Sequence, residues 1–173
     1  MKTVRLREVC EVNGRTFTRK KGEQEWKAHK LDLTGSKPPS PPPPIYLSLI
    51  HYLQGEGEPL HWSLFFAREH VPGYEYQVKG DAEHMTYEPS EGKVNAVNAD
   101  NFFTNYHLAT MTVQQECVVR QVAEEEATPR AANRQSVTEN CQGWSVRFIA
   151  RSVTMGIIPE ARLEMARCML QSV

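Results

Sequence analysis

Cysteine is scarce in this chain and never paired at close spacing: Cys10, Cys117, Cys141 and Cys168 are spread over 173 residues without a C-x-x-C. That excludes a disulfide scaffold and a zinc ribbon, so each thiol has to be judged singly. An excess of one charge is also missing. Twenty Lys and Arg against 21 Asp and Glu leave a formal net charge of -1, so no global field draws the chain to phosphate backbones or anionic lipid, and no nucleic-acid partner is expected. Apolar runs such as Leu47 to Ile50 and Leu64 to Ala67 are short, far below the roughly 20 residues of a membrane-spanning helix. The opening MKTVRLREVCEVNGRTFTRKKGEQ has scattered charges and no apolar core of a targeting segment, which makes the cytosol the expected address. Also absent are a G-x-S-x-G nucleophile elbow, a G-x-x-x-x-G-K-[ST] phosphate loop and an H-E-x-x-H zinc helix. The acidic GEGE at 55–58 would repel phosphate. His61, His84 and Cys141 show no metal-ligand spacing, so neither metal nor cofactor is expected.

What remains is ordinary globular material, 40% hydrophobic, enough for about one domain with a real core. Residues 1–44 are set apart. Basic residues alternate with acids up to Lys37 without sustained periodicity, which reads as a weakly ordered arm, and KPPSPPPP (37–44) lacks backbone donors and favours an extended polyproline path. That segment marks the boundary of a domain over 45–173. Its Pro-x-x-Pro spacing suits an SH3-like partner, with a stiff linker as the plain alternative.

Within the domain, IYLSLIHYL, HWSLFFA (61–67) and GYEYQVKG (73–80) read as strands joined by Gly- and Pro-containing loops, a meander that only antiparallel pairing allows. A fourth strand is expected over 105–113 with Tyr106, Leu108, Thr110 and Thr112 on one face, after a loop over 87–101. Helical spacing follows at 114–126, carrying Val118, Val119 and Val122, with Glu124, Glu125 and Glu126 as a solvated run at its end. A second helix starts near Asn140, capped by Thr138 or Asn140 and stopped by Gly156. It places Cys141, Trp144 and Phe148 on one side. A third opens at Pro159 and runs to about Leu170, with Leu163, Ala166 and Leu170 aligned. Strands first and helices after make an α+β fold, an antiparallel sheet packed against helices.

One cysteine has a special address. Cys141 stands in the first turn of a helix, where unpaired N–H groups and the positive end of the helix dipole favour a thiolate, the reactive form. The plainer alternative makes it a small apolar filler under Trp144. Cys117 and Cys168, inside helical patterns, read as packing residues, and Cys10 lies in the arm. A nucleophilic thiol needs a base. His61, at the start of a strand leading into an apolar run, is the histidine a sheet would hold rigidly, against the plain alternative of a solvated strand-edge side chain. Gln77 on the neighbouring strand is within reach to orient its ring.

The series HWSLFF, YQVKGD and NCQGWSVRFIARSVTMGII resembles a group of small fungal proteins. It is similar in order to the circularly permuted papain-like fold of PPPDE-type isopeptidases and lecithin retinol acyltransferase-like enzymes, in which the histidine strand precedes the cysteine helix. The resemblance covers about residues 45–160. It implies that Cys141 is the nucleophile and His61 the base, that Gln77 stands where relatives carry a second histidine, and that Gln142 and Trp144 match C-Q-x-W. Gln142 is then a candidate oxyanion donor beside the Cys141 N–H, while Trp144 reads as substrate-side or, more simply, core. A neutral amide at position 77 orients an imidazole without stabilising its charge. The expectation is therefore a thiol hydrolase or acyltransferase acting on a small-molecule or peptide acyl substrate (amide, ester, thioester or isopeptide) through an acyl-Cys141 intermediate. The alternative is a papain-like scaffold without turnover that recruits a partner through the fold and the proline run.

Overall fold

The structure is a computed structural model that describes residues 2–4, 7–12, 15–23, 27–28 and 43–172. It divides into two units, residues 1–42 and 43–173. The proline run falls almost wholly outside the described residues. In the first unit, where no periodicity is legible and a weakly ordered arm is expected, four paired strands occur instead: β1 (Lys2–Val4), β2 (Arg7–Val12), β3 (Arg15–Lys20) and β4 (Lys27–Ala28), in antiparallel order β1-β2-β3-β4. Val12 pairs with Arg15 in the antiparallel β2–β3 ladder.

The second unit is built on a four-stranded antiparallel sheet of order β10-β5-β6-β7. Its strands are β5 (Ile45–Tyr52), β6 (His61–Ala67), β7 (Tyr74–Tyr76) and β10 (Phe102–Met111). The expected third strand is interrupted at Gln77. Tyr74–Tyr76 pairs with β6, whereas β8 (Val78–Lys79) turns away to pair with β9 (Thr86–Tyr87). The expected fourth strand starts three residues early, and its face changes phase at a register shift between His107 and Ala109. The extra residue turns Leu108, Ala109 and Met111 inward and leaves Thr110 exposed.

Because side chains alternate along a strand, the sheet has two distinct faces. Ile45, Leu47, Leu49, Trp62, Leu64 and Phe66 form the main core with Trp144, Phe148 and Ile149. Ile50, Tyr52 and Phe65 lie on the other side in a smaller cluster with Ala96. Three helices complete the unit: α1 (Val113–Glu125), α2 (Cys141–Thr154) and α3 (Glu160–Cys168). Thr112 caps α1 in a reciprocal capping box with Gln115, which takes Thr112 out of the expected strand. Asn140 caps α2 through its Oδ1, which accepts from the Gln142 N–H at 2.9 Å. Gly156, at φ 69°, ends α2, with the Ile157 N–H donating to the Ser152 carbonyl. This is the left-handed stop that glycine permits.

Several sequence expectations need correction here. Cys117 and Cys168 are exposed, not packed, since the apolar stripes of α1 and α3 pass beside them through Val119, Val122, Leu163 and Ala166. Val118, expected on the α1 stripe, is exposed for the same reason, and Leu170 is exposed because α3 ends at Cys168, short of the expected extent to about Leu170. Glu126 is buried, not solvated. It pairs with Arg147 at 2.8 Å and Arg151 at 3.3 Å, while its carbonyl accepts from Trp144 Nε1 at 3.3 Å. Trp144 is therefore core, fully enclosed, with its indole N–H bonded to the Glu126 carbonyl. The α+β architecture, an antiparallel sheet covered by helices, is as expected.

Candidate active site

Three elements converge at the start of β6. The chain enters the strand through Leu60, and the first paired residue is His61, opposite Tyr52 of β5. Leu60 is fastened at the same time to the beginning of α2. The Gln142 side-chain amide donates to the Leu60 carbonyl and to Gln171 Oε1, each at 2.8 Å, and its oxygen accepts from the Gln171 N–H at 2.9 Å. Gln171 Oε1 also accepts from the Leu60 N–H at 2.7 Å. Both N–H bonds of the Gln142 amide are thus committed, so no donor is left for an oxyanion, and the role expected of Gln142 is corrected. It pins the first turn of α2 to Leu60, the residue that leads into β6. Gln171, near the end of the described chain, is the partner that sequence reasoning missed.

This fastening brings Cys141 beside β6. Cys141 is 3% exposed and shares with His61 and Gln77 the wall of a cavity of about 670 Å³. The backbone N–H groups of Trp62, Gln142 and Cys141 itself favour the thiolate. Burial outweighs them and raises the thiol above its ordinary value. The lowered thiol that the helix-start position suggested is therefore not the resting condition. The imidazole of His61 is shifted the other way, downward, chiefly by burial, with the hydrogen bond to Gln77 and the charge of Glu75 opposing and Lys79 assisting. Thiol and imidazole are thus both held toward their neutral forms.

Gln77, at the break between β7 and β8, places Oε1 2.8 Å from His61 Nε2. An amide oxygen there accepts, which assigns the ring proton to Nε2 and leaves Nδ1 with the lone pair a base needs. The site also holds a carboxylate absent from the expected set. Glu75, 9% exposed, lines the same cavity, and its Oε1 accepts from the Tyr52 hydroxyl at 2.5 Å and from Ser63 Oγ at 2.6 Å. His61, Ser63 and Tyr52 share the sheet face opposite the main core, and Phe65 pairs with Glu75 across β6 and β7. That register, rather than any motif, brings the acid under the histidine. Burial and the neighbouring carboxylate push the Tyr52 phenol well above its ordinary value, so it stays a donor.

The remaining histidines are elsewhere. His51 is stacked on Trp62, with ring centroids 4.5 Å apart, within the core. His70, His84 and His107 are exposed, and His29 lies outside the described residues. Exposed, His84 does not join His61 and Cys141, and among the described residues no three His, Cys, Asp or Glu side chains are grouped to hold a metal ion. Nor is any described helix long and apolar enough to cross a membrane.

A model of a family of unknown function, DUF6540, matches residues 47–159, a span that runs from β5 through the end of α2 and contains Glu75 and the His61, Gln77 and Cys141 trio. No match was found among curated proteins or among solved structures.

Proposed function

The chain belongs to that family, and from the chemistry of its own site we propose that it is a cysteine-dependent acyl-bond enzyme of circularly permuted papain-like arrangement, a hydrolase or acyltransferase in which Cys141 is the nucleophile and His61 the base. The observation that carries this reading is the gathering of Cys141, His61 and Gln77, from three separate segments, on one cavity wall, with the Gln77 amide oxygen 2.8 Å from the ring nitrogen. A core cysteine has no need of a cavity, and a merely satisfied histidine has no need of a fixed tautomer.

In the proposed sequence His61 Nδ1 removes the Cys141 proton as the sulfur attacks the acyl carbon. Both groups rest near neutrality, so the proton moves during attack rather than in a pre-formed ion pair. The Cys141 N–H at the helix start faces the developing oxyanion. Imidazolium returns its proton to the leaving group, and the thioester on Cys141 is resolved by water or an amine. A neutral residue at position 77 stabilises no positive charge, and in the free site the field of Glu75 favours the protonated ring.

The test is a burst experiment with p-nitrophenyl acetate. One equivalent of p-nitrophenol is released quickly and the acetyl group is found by peptide mapping on Cys141, with no burst in Cys141→Ser. Acetyl spread over lysines or the exposed cysteines, with no burst, overturns the reading and leaves the other one, a scaffold without turnover that binds a partner.

A further inference from the structure

Glu75 is a carboxylate with one oxygen committed and one not. Oε1 takes both hydroxyl donors, from Tyr52 and Ser63, while among the described residues no donor is within hydrogen-bond distance of Oε2. The atom is not sealed in hydrocarbon, for it is absent from the buried polar atoms that lack a partner, and Glu75 lines the cavity that also holds Cys141 and His61. No ion pair reaches this carboxylate among the described residues. The acidic Asp81 on the same wall is already paired with Arg134 at 2.9 Å. Placing a carboxylate at this depth without a cation is costly, and the two hydroxyls hold its orientation through Oε1, which leaves Oε2 uncommitted on a residue of the cavity wall. A carboxylate held this way is half of a charge-assisted hydrogen bond.

Resting on the reading of Cys141 as nucleophile, we propose that the cavity recognises a substrate carrying a protonated amine, as an aminoacyl compound or a peptide with a free amino group does, and that Glu75 Oε2 is the oxygen that receives it. Two cations on the same wall work against a cation there, Arg134, which is paired with Asp81, and Lys79. Lys79 is exposed and screened by solvent, whereas Glu75 is 9% exposed. The ammonium would contact Glu75 while the acyl carbon lies at Cys141, within a single cavity.

The probes are aminoethyl methanethiosulfonate, which is cationic, and methyl methanethiosulfonate, which is neutral. The ratio of their second-order rate constants is read at Cys141 by peptide mapping and divided by the same ratio at the exposed Cys117, which corrects for the reagents themselves. The expected value for the intact chain is about tenfold in favour of the cation, falling to near one in Glu75→Gln. Tyr52→Phe, which keeps the carboxylate, retains most of it. The ratio cancels any change in His61 or in thiol reactivity, so it is independent of whether Cys141 turns substrate over. A missing acetyl-Cys141 burst overturns the catalytic reading, while equal ratios at Cys141 and Cys117, or a preference for the neutral probe, overturn this one. If Glu75→Gln fails to fold, the ratio in the intact chain decides alone.

Discussion

His51 and His61 sit on adjacent strands of one sheet, ten residues apart, and their fates differ because they face opposite ways. His51 points into the main core, 3% exposed, stacked on Trp62, with Nε2 lacking any partner. Burial alone acts on it and pushes its imidazole down to about 4, so it is a neutral ring used as an aromatic filler. His61 points to the smaller face. Burial lowers it as well, but Gln77 fixes its tautomer and Glu75 favours its charged form. Burial makes a histidine neutral; an oriented acceptor and a nearby carboxylate on a cavity wall make that neutral ring usable as a base.

The largest expected effect separates the two rings directly. His61→Ala lowers the rate of Cys141 acetylation by p-nitrophenyl acetate by about 10²- to 10⁴-fold, the range of a lost general base, while His51→Phe, which keeps an aromatic ring against Trp62, changes it less than about twofold. Equal losses in both variants would break the contrast. On the core side, Trp144→Ala destabilises by roughly 3 to 5 kcal/mol in urea unfolding, because the indole is enclosed and donates to Glu126. A stable Trp144→Ala protein that loses only activity would move Trp144 from the core into the site.

The third effect is pH-dependent. With its folded value near 4 and its unfolded value at 6.5, His51 binds its proton mainly when unfolded across that window. Its contribution to stability is therefore complete above 6.5 and is lost as pH falls toward 4, by about 3 kcal/mol at most. His51→Phe flattens this part of the acid limb in a urea series, and His61, shifted in the same direction, leaves a remainder. An unchanged limb in the variant would refute the assignment. The smallest effect tests the fastening of α2 to β6. Gln142→Leu keeps the volume but leaves the Leu60 carbonyl and the Gln171 amide without partners, costing about 1 to 3 kcal/mol of stability, with a several-fold slower acetylation as Cys141 loses its place.

The parts of this site that depend on local chain were legible in the sequence. Asn140-Cys141 could be read as a cap and first turn because capping is set within a few residues, and the strand beginning at His61 was visible as an aromatic and branched run. Gln77 could be placed on the neighbouring strand from loop length alone, although the break in that strand was not visible. Glu75 was hidden because its function depends on register: shifted by one residue, the same glutamate would face the core instead of Tyr52 and Ser63. The role of Gln142 was misread for a related reason, since its partners Leu60 and Gln171 lie 82 and 29 residues away. Beyond the site, the bulge at Leu108 defeated strict alternation in β10, and the mixed charges of β2 and β3 concealed strands whose pairing leaves little periodic signature.

The most direct measurement is the rate of Cys141 alkylation by iodoacetamide against pH, read by peptide mapping with Cys117 and Cys168 as references in the same molecule. By exposure alone the buried thiol should react last. The account predicts that it reacts first at neutral pH, that its rate falls on the acid side only below the ordinary histidine value of 6.5, where His61 gains its proton, and that His61→Ala removes the advantage. A Cys141 slower than both exposed thiols, rising only in alkali and indifferent to His61, would contradict it.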